Sequence, residues 1–204
     1  MDSYFNHHYI SNSDLKKLQK MINPDFQDPS DLEEIFAFGR LVEDCIMQPH
    51  QANYEHQDIE KALSMARTFK TDPICQQLLW VHDLRRQHEW YRSNRFGVPA
   101  RCKMDGDSRA LSLVFELKGL SVETDRAFDD AVNRFHYDQG IAWYLDVSGY
   151  RQALLVAVSK KNTSRLFKRI VNRQHDYYKR GVVKIEKNVK LFLETFPEYK
   201  REAA

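Results

Sequence analysis

The spacing of apolar residues changes period along this chain of 204 residues, and that change limits the folds open to it. Apolar residues recur at helical spacing in the first part, whereas residues 88–118 alternate in the manner of β-strands. Breaks at Phe96-Gly97 and at 105–108 divide this alternating stretch. They predict three antiparallel strands, over about 88–95, 98–105 and 110–118.

Helices and one further strand surround this meander. The run from Ala153 to Val158 is too short and too β-branched for a helix, so it predicts a buried strand. The expected fold is α/β (or α+β), a single three-layer domain with a central mixed sheet flanked by helices. Residues 1–87 are predicted to be mainly helical, residues 88–160 to hold the sheet and a crossover helix, and residues 161–204 to form a basic C-terminal helix. Caps and spacing predict helices that begin near Ser11-Asn12-Ser13-Asp14 and Ser30-Asp31-Leu32-Glu33, and others over about 56–70, 73–86, 124–145 and 163–195.

The seven glycines are too widely spaced for a phosphate-binding loop, since no two lie closer than nine residues. The Walker A loop and the dinucleotide-binding GxGxxG motif need glycines within about six positions, so both are excluded. The GxSxG motif of the α/β-hydrolases is excluded for the same reason.

Cysteine usage and the N-terminal sequence indicate a compartment. Cys45, Cys75 and Cys102 are far apart and form no CxxC pair, so we expect buried reduced thiols. No secretory signal opens the sequence, and its longest apolar run has six residues against the roughly 20 needed to span a membrane. These features predict a cytoplasmic protein without a membrane partner. The segment from His88 to Arg92 begins like the HExxH motif of zinc proteases, but Arg92 replaces the second histidine.

Charge is unevenly distributed although the formal net charge is only +2. Residues 160–204 carry 13 Lys and Arg against 5 Asp and Glu, whereas residues 1–159 carry 18 against 24. A basic tail on an acidic body is typical of a nucleic-acid-binding protein with a carboxylate-rich centre. A solvated amphipathic helix would give the same pattern.

Two carboxylates and a lysine fall together at one edge of the predicted sheet. Glu116 and Lys118 share one face of an apolar strand. Asp105 precedes a glycine at the end of the preceding predicted strand, so a hairpin would bring it close to Glu116. Carboxylate oxygens suit Mg²⁺ or Mn²⁺, and a lysine beside them can orient or deprotonate water. The same residues could instead form a salt bridge between strands. Asp107 could replace Asp105 as a ligand, but its position favours a role in a turn.

Two helical positions direct polar side chains toward the expected core. Glu43 lies between Gly39 and Ile46 in the apolar stripe of the second predicted helix. A buried carboxylate is costly unless it is paired or bound to a metal, so Glu43 is a candidate third acid. Gln139 lies on the apolar face of the helix predicted over 124–145, either as a functional residue or as a satisfied core glutamine.

Five segments in order carry a family resemblance: Tyr9 to Leu15, Gly39 to Glu43, Gly97 to Asp105, Phe115 to Lys118, and Phe128 to Tyr144. They resemble the PD-(D/E)XK nuclease superfamily, and within it the RecE-type (exodeoxyribonuclease VIII) and lambda-exonuclease-like phage recombination nucleases. The resemblance covers most of the chain. Met104 replaces the name-giving proline, and Glu43 stands where close RecE relatives usually have histidine. Trp143, rather than Tyr144, lies four residues after Gln139, where the family has tyrosine.

The resemblance implies roles for single residues. Lys118 would position the attacking water, and Gln139 would support the DNA strand near the scissile phosphate. One or two Mg²⁺ or Mn²⁺ ions would be held by Asp105, Glu116, the backbone carbonyl of Leu117 and Glu43. From the charge pattern, we also expect DNA phosphate contacts from Lys160, Lys161, Arg165, Lys168 and Arg169.

The function expected from the resemblance is a metal-dependent deoxyribonuclease, and specifically an exonuclease acting on double-stranded DNA ends in recombination or repair. A structure-selective or restriction-type endonuclease and a catalytically silent DNA-binding module of the same restriction-endonuclease-like fold are the alternatives. A homo-oligomer, a single-strand annealing protein as partner, and a bacterial or phage-infected cell as host are expected from the resemblance alone.

Overall fold

A computed structural model describes residues 9–22, 32–80, 84–93 and 97–200, and the fold is described for these residues. The predicted capping box at 30–33 lies partly outside them. The helices are α1 (Asn12–Ile22), α2 (Leu32–Met47), α3 (Ile59–Thr71), α4 (Pro73–Trp80), α5 (Asp125–Arg134), α6 (Tyr137–Ser148) and α7 (Asp176–Thr195), with 3₁₀ turns at Pro49–Gln51 and Pro197–Lys200. The strands are β1 (Arg85–Ser93), β2 (Pro99–Ser108), β3 (Leu113–Leu120), β4 (Gln152–Ser159) and β5 (Leu166–Asn172).

The five strands form one mixed sheet in the order β1-β2-β3-β4-β5. The first three strands form the predicted antiparallel meander. Strands β3 and β4 are parallel, and α5 and α6 provide the crossover that such a pair needs. Strand β5 returns antiparallel to β4. The α/β fold and the central position of the apolar strand β3 are therefore confirmed.

Helices cover both faces of the sheet, and each face has its own apolar core. Val114 faces the core formed with α1, α5, α6 and α7, whereas its neighbour Phe115 faces the core formed with α2, α3 and α4. This alternation follows from the strand geometry, in which successive side chains point to opposite faces. Both residues are fully buried, which is expected of a central strand.

Helix α1 is fixed at its start. The Ser11 hydroxyl accepts from the Asp14 amide at 3.2 Å, and the Asp14 carboxylate accepts from the Ser11 amide at 2.9 Å. This reciprocal arrangement satisfies amides that the first turn would leave unpaired. Ile10 also bridges to Ala100 of β2, so the entry to α1 is tied to the sheet.

The crossover helix predicted over 124–145 is two helices. Thr124 caps α5 as expected, with its hydroxyl accepting from the Ala127 amide at 3.1 Å. The helix then stops at Arg134, and α6 begins at Tyr137 after His136, whose φ is +55°. A residue in that left-handed region interrupts an α-helix, so the single-helix prediction was wrong.

Other boundaries also differ from the predictions. The helix predicted over 73–86 is wrong at its end, since α4 ends at Trp80 and Arg85 already belongs to β1. Residues 166–172 form β5, so the C-terminal helix begins at Asp176 instead of 163. Leu166 and Phe167 enter the two different cores, as consecutive strand residues do, but the cationic residues after them hid this alternation. Strand β2 continues through Gly106 to Ser108, where a break had been predicted.

All three cysteines are free and buried, as expected. None of the helices in the described part of the chain has the length and apolar character needed to cross a membrane.

Candidate active site

The sheet opens between β2 and β3 at Asp105. These two strands pair only over residues 106–108 and 113–115, and extending that register places Asp105 opposite Glu116. Beyond this point β3 stays paired with β4 as far as Leu120. The amide of Leu117, which has lost β2 as a partner, donates to Asp105 Oδ2 at 2.8 Å. Asp105 and Glu116 therefore come together as predicted, although the turn that joins their strands lies after residue 108.

Lys118 lies between the two carboxylates. Its Nζ is 2.6 Å from Glu116 Oε1 and 3.4 Å from Asp105 Oδ2. Burial lowers the pKa of Lys118, but the charges of Asp105 and Glu116 more than offset this and hold it well above its ordinary value. The lysine is thus an ammonium donor at any physiological pH.

Glu116 is held in a site that disfavours its charge. The residue is 7% exposed, and its Oε2 has no hydrogen-bond partner among the residues that the structure describes. Burial, followed by the charge of Asp105, raises the pKa of Glu116 to about 7. A buried carboxylate oxygen without a partner is rare in folded proteins, and it marks a place that a cation or another donor would stabilise.

Glu43 brings a third acid from α2. It is half-buried, and burial followed by the charge of Asp105 raises its pKa to about 7. The charges of Glu43 and Lys118 also act on each other, so Glu43 belongs to the same electrostatic cluster. The side-chain amide of Gln87 donates to Glu43 Oε1.

Gln87 marks an irregular point in both β1 and β2. Its φ is +48°, a left-handed conformation that costs a residue other than glycine about 1–3 kcal/mol. It lies opposite Asp105 in the register, and no ladder pair forms there. Arg85 and His88, three residues apart, both reach Asp107, so β1 switches faces at Gln87. No sequence signal marks this residue, because glutamine has no turn chemistry of its own.

Asp107 is neither a turn residue nor a member of the cluster. It is fully buried and paired with Arg85, with His88 Nδ1 at 3.1 Å, and with the Tyr150 hydroxyl, which donates at 2.6 Å. These partners neutralise it on β2 and leave Asp105 as the acid at the opening of the sheet.

Three further side chains surround the cluster. Burial, followed by the charge of Glu116, holds the pKa of Tyr144 well above its ordinary value. Burial, followed by the charge of Lys118, lowers the pKa of Lys16 to about 8. The Tyr137 ring lies 5.9 Å from Lys118 Nζ and 5.7 Å from Lys16 Nζ. Sequence reasoning missed Lys16 and Tyr137, since nothing local links them to strand β3.

Of the two adjacent aromatic residues on α6, Tyr144 is the one that interacts with the charges of the cluster. Trp143 is fully buried and donates its indole N–H to the Arg101 carbonyl at 2.9 Å, so it is a core residue. Gln139 is likewise fully buried. Its amide nitrogen donates to Asn12 Oδ1 at 2.8 Å, and its amide oxygen accepts from Asn188 at 2.9 Å. Because both polar atoms of its side chain are hydrogen-bonded inside the core, Gln139 is in no position to support a DNA strand. Of the two predicted roles, that of a core glutamine with its hydrogen bonds satisfied is the one observed.

The five predicted phosphate contacts do not form one surface. Lys168 pairs with Asp72, while the next residue, Arg169, pairs with Asp125 at 2.9 Å and Asp129 at 3.1 Å from another side of the sheet. Consecutive strand residues point to opposite faces, so their separation follows from β5 being a strand. Lys161 lies 3.8 Å from Glu123, and Arg165 donates to the Glu123 carbonyl. Lys160 lies beside Gly119, with its Nζ 5.0 Å from the Phe38 ring.

The carboxylates at the opening of the sheet are chemically suited to a hard divalent cation, but their positions do not match a complete set of metal ligands. In the described part of the chain, no three carboxylate, imidazole or thiolate groups stand close enough together to form a ready metal cage. Within the same residues Oε2 of Glu116 has no hydrogen-bond partner, and together with the raised pKa values of Glu43 and Glu116 this indicates excess negative charge at the opening of the sheet. Oxygen donors of this kind suit Mg²⁺ or Mn²⁺.

Comparison with solved structures identifies the fold. A Eubacterium rectale protein assigned as an exonuclease matches all of this chain and 88% of its own, with a TM-score of 0.67 and 15% identity. An alkaline exonuclease from Laribacter hongkongensis matches 96% of this chain and 93% of its own, with a TM-score of 0.44 and 7% identity. A phage-related exonuclease from Haemophilus somnus 129PT matches 94% and 98%, with a TM-score of 0.42 and 14% identity. This chain shares its fold with the first of these. No protein-family model and no curated protein matches the sequence.

Proposed function

We propose that this protein is a divalent-metal-dependent deoxyribonuclease of the PD-(D/E)XK type, acting as an exonuclease on double-stranded DNA ends. The observation that carries the proposal is a buried oxygen of Glu116, which has no hydrogen-bond partner in the described part of the chain and lies beside Asp105 and the ammonium of Lys118. Most buried polar side-chain atoms in folded proteins have a hydrogen-bond partner, whereas a cation site leaves an oxygen for the metal. The shared fold with an assigned exonuclease supports the same assignment.

Each residue of the cluster has a role in this proposal. Asp105, Glu116 and the Leu117 carbonyl would hold Mg²⁺ or Mn²⁺, with Glu43 binding the ion or a water on it. The ion, when bound, supplies positive charge that polarises the phosphodiester and acidifies water. Lys118 remains charged beside both carboxylates, so its ammonium can orient the attacking water and stabilise negative charge on the phosphoryl oxygens. Gln87 fixes the Glu43 carboxylate.

Digestion of matched linear and covalently closed circular DNA tests this function. The wild-type protein with Mg²⁺ or Mn²⁺ is expected to degrade the linear duplex and to leave the circle intact. Cleavage of the circle would establish an endonuclease. No hydrolysis of either DNA, by protein that binds Mn²⁺, would refute a nuclease assignment.

A second candidate, a catalytically silent DNA-binding module, is favoured by the absence of a ready metal cage in the described part of the chain. Titration calorimetry with Mn²⁺ separates the two. If the protein is a nuclease, the wild type should give a Mn²⁺-binding signal that Asp105→Ala removes. If it is a silent DNA-binding module, the wild type should give no such signal. Roles in recombination or repair, a homo-oligomer, a single-strand annealing partner and a cytoplasmic location are parts of the proposal supported by the family resemblance alone.

A further inference from the structure

The connection between α5 and α6 presents an exposed aromatic side chain next to the candidate active site. We call residues Arg134–Tyr137 the α5–α6 elbow. Phe135 is 43% exposed, and its ring lies 5.8 Å from that of Tyr137. His136 between them has a φ of +55°. Holding a residue other than glycine in a left-handed conformation costs free energy, and such strain beside an exposed aromatic ring points to a functional segment.

Cationic groups surround the two rings. The Arg134 guanidinium lies 4.5 Å from the Phe135 ring, and Lys16 and Lys118 lie within 6 Å of the Tyr137 ring. Lys16 also donates to the Phe135 carbonyl at 3.1 Å. Exposed aromatic rings among cations form the sites that single-stranded nucleic acids use, because bases stack on the rings and phosphates meet the charges.

The elbow is held from two helices. Lys16 reaches it from α1, and Lys184 of α7 donates to the carbonyl and side chain of Asn133 at 3.2 and 2.9 Å. Asp138, the buried acid next to the elbow, is neutralised by Lys184 at 2.8 Å, with Arg180 at 3.5 Å. The platform is therefore anchored before any ligand arrives, and this buried acid does not cancel its positive charge.

We propose that the α5–α6 elbow is a stacking platform for an unpaired base of the DNA strand whose phosphate lies at Lys118. The inference rests on the proposed function, since DNA is the ligand in both. Tyr137 connects the platform to Lys118, so the base on Phe135 belongs to a nucleotide close to the bond that is cleaved.

Fluorescence of single-stranded oligonucleotides carrying 2-aminopurine near one end tests the platform in EDTA, where no metal-dependent hydrolysis occurs. Stacking quenches this base, so the wild type is expected to quench it at one position of the strand. Phe135→Leu keeps the apolar bulk but has no aromatic face. It is expected to lose that quenching and to weaken binding about fivefold or more, since stacking on an aromatic side chain contributes about 1–3 kcal/mol per base. Phe135→Trp should retain both properties.

Val183→Ala, at a 66% exposed apolar residue of α7, is the matched surface control and should bind as the wild type does. Unchanged quenching and affinity in Phe135→Leu would overturn the platform, as would an absence of oligonucleotide binding. A change in oligomeric state in Phe135→Leu, seen by sedimentation with unchanged DNA affinity, would reassign Phe135 to a protein contact. Quenching that depends on Phe135 without hydrolysis in Mn²⁺ would keep the platform and refute the nuclease. Hydrolysis without such quenching would do the reverse.

Discussion

Replacing Glu116 by glutamine should make the metal-free protein more stable while it abolishes hydrolysis. The substitution keeps the shape of the side chain and removes its charge. Glu116 is buried, one of its oxygens has no hydrogen-bond partner among the described residues, and its pKa is raised to about 7. Lys118 keeps Asp105 as a partner after the change. The ordinary rule that breaking a buried ion pair destabilises a protein is therefore expected to fail at this position.

The size of the effect follows from the pKa of Glu116. A rise from the ordinary 4.5 to about 7 corresponds to about 3 kcal/mol, at about 1.4 kcal/mol per unit. Because folding raises the pKa of Glu116, the free energy of unfolding falls by this amount as the pH increases from 4.5 to 7, and the decrease is complete above pH 7. Glu116→Gln should therefore be stabilised by about 3 kcal/mol at pH 8, or roughly 7 °C in a chain of this size, and hardly at all at pH 4.5.

Thermal unfolding in EDTA at pH 8 and pH 4.5 measures this difference. Glu89→Gln is the matched control, because Glu89 lies in the same sheet, partly exposed, with Lys103 at 3.7 Å, and its replacement should change stability by less than about 0.5 kcal/mol. Destabilisation of Glu116→Gln at pH 8 would refute the reasoning, since it would show that the bond to Lys118 outweighs the cost of burying the carboxylate.

Three further predictions concern residues around Glu116. Lys118→Ala should abolish hydrolysis and change DNA affinity only a few-fold, in a nuclease assay paired with a binding assay; comparable loss of both would assign Lys118 to the fold. Gln87→Ala should weaken Mn²⁺ binding roughly tenfold or more by calorimetry, because Glu43 loses its donor. Gln87→Gly relieves the strain of the φ of +48° but removes the same side-chain amide, so it should be more stable than Gln87→Ala and bind Mn²⁺ equally weakly. Wild-type Mn²⁺ affinity in both variants would show that Gln87 is not part of the site. Gln139→Ala should cost about 2 kcal/mol or more in chemical denaturation, because Asn12 Oδ1 and Asn188 Nδ2 lose their buried bonds to Gln139, with kcat unchanged below the transition; a lower kcat at unchanged stability would contradict this.

The sheet and the meeting of Asp105 with Glu116 were predictable because strand patterns are local. Alternation within 88–118 fixed the meander, and antiparallel neighbours bring nearby residues together whatever the details of the turn. The prediction therefore tolerated an error in the turn position, since β2 runs on to Ser108. The polar position of Glu43 within an apolar stripe was also visible in the sequence.

Interactions between distant segments were not predictable. The helix predicted over 163–195 takes in β5, because the cations after Leu166 and Phe167 hide the alternation of a strand, and the partners of those cations lie far away in the sequence. Lys168 meets Asp72, 96 residues earlier, and Arg169 meets Asp125, 44 residues earlier. The positive charges of Lys168 and Arg169 are therefore paired with other elements of the fold, on different sides of the sheet. The same holds for Gln139, whose partners come from α1 and α7.

The three acids of the candidate site differ in how early in folding they can meet. Asp105 and Glu116 lie on adjacent strands of one short hairpin, whereas Glu43 arrives with a helix some sixty residues upstream. Closing that longer loop costs more entropy, and contacts of this range form late. Release of α2 from the sheet would leave the hairpin intact and remove only Glu43, so in mild denaturant Mn²⁺ affinity should fall before the far-ultraviolet circular dichroism of the sheet changes.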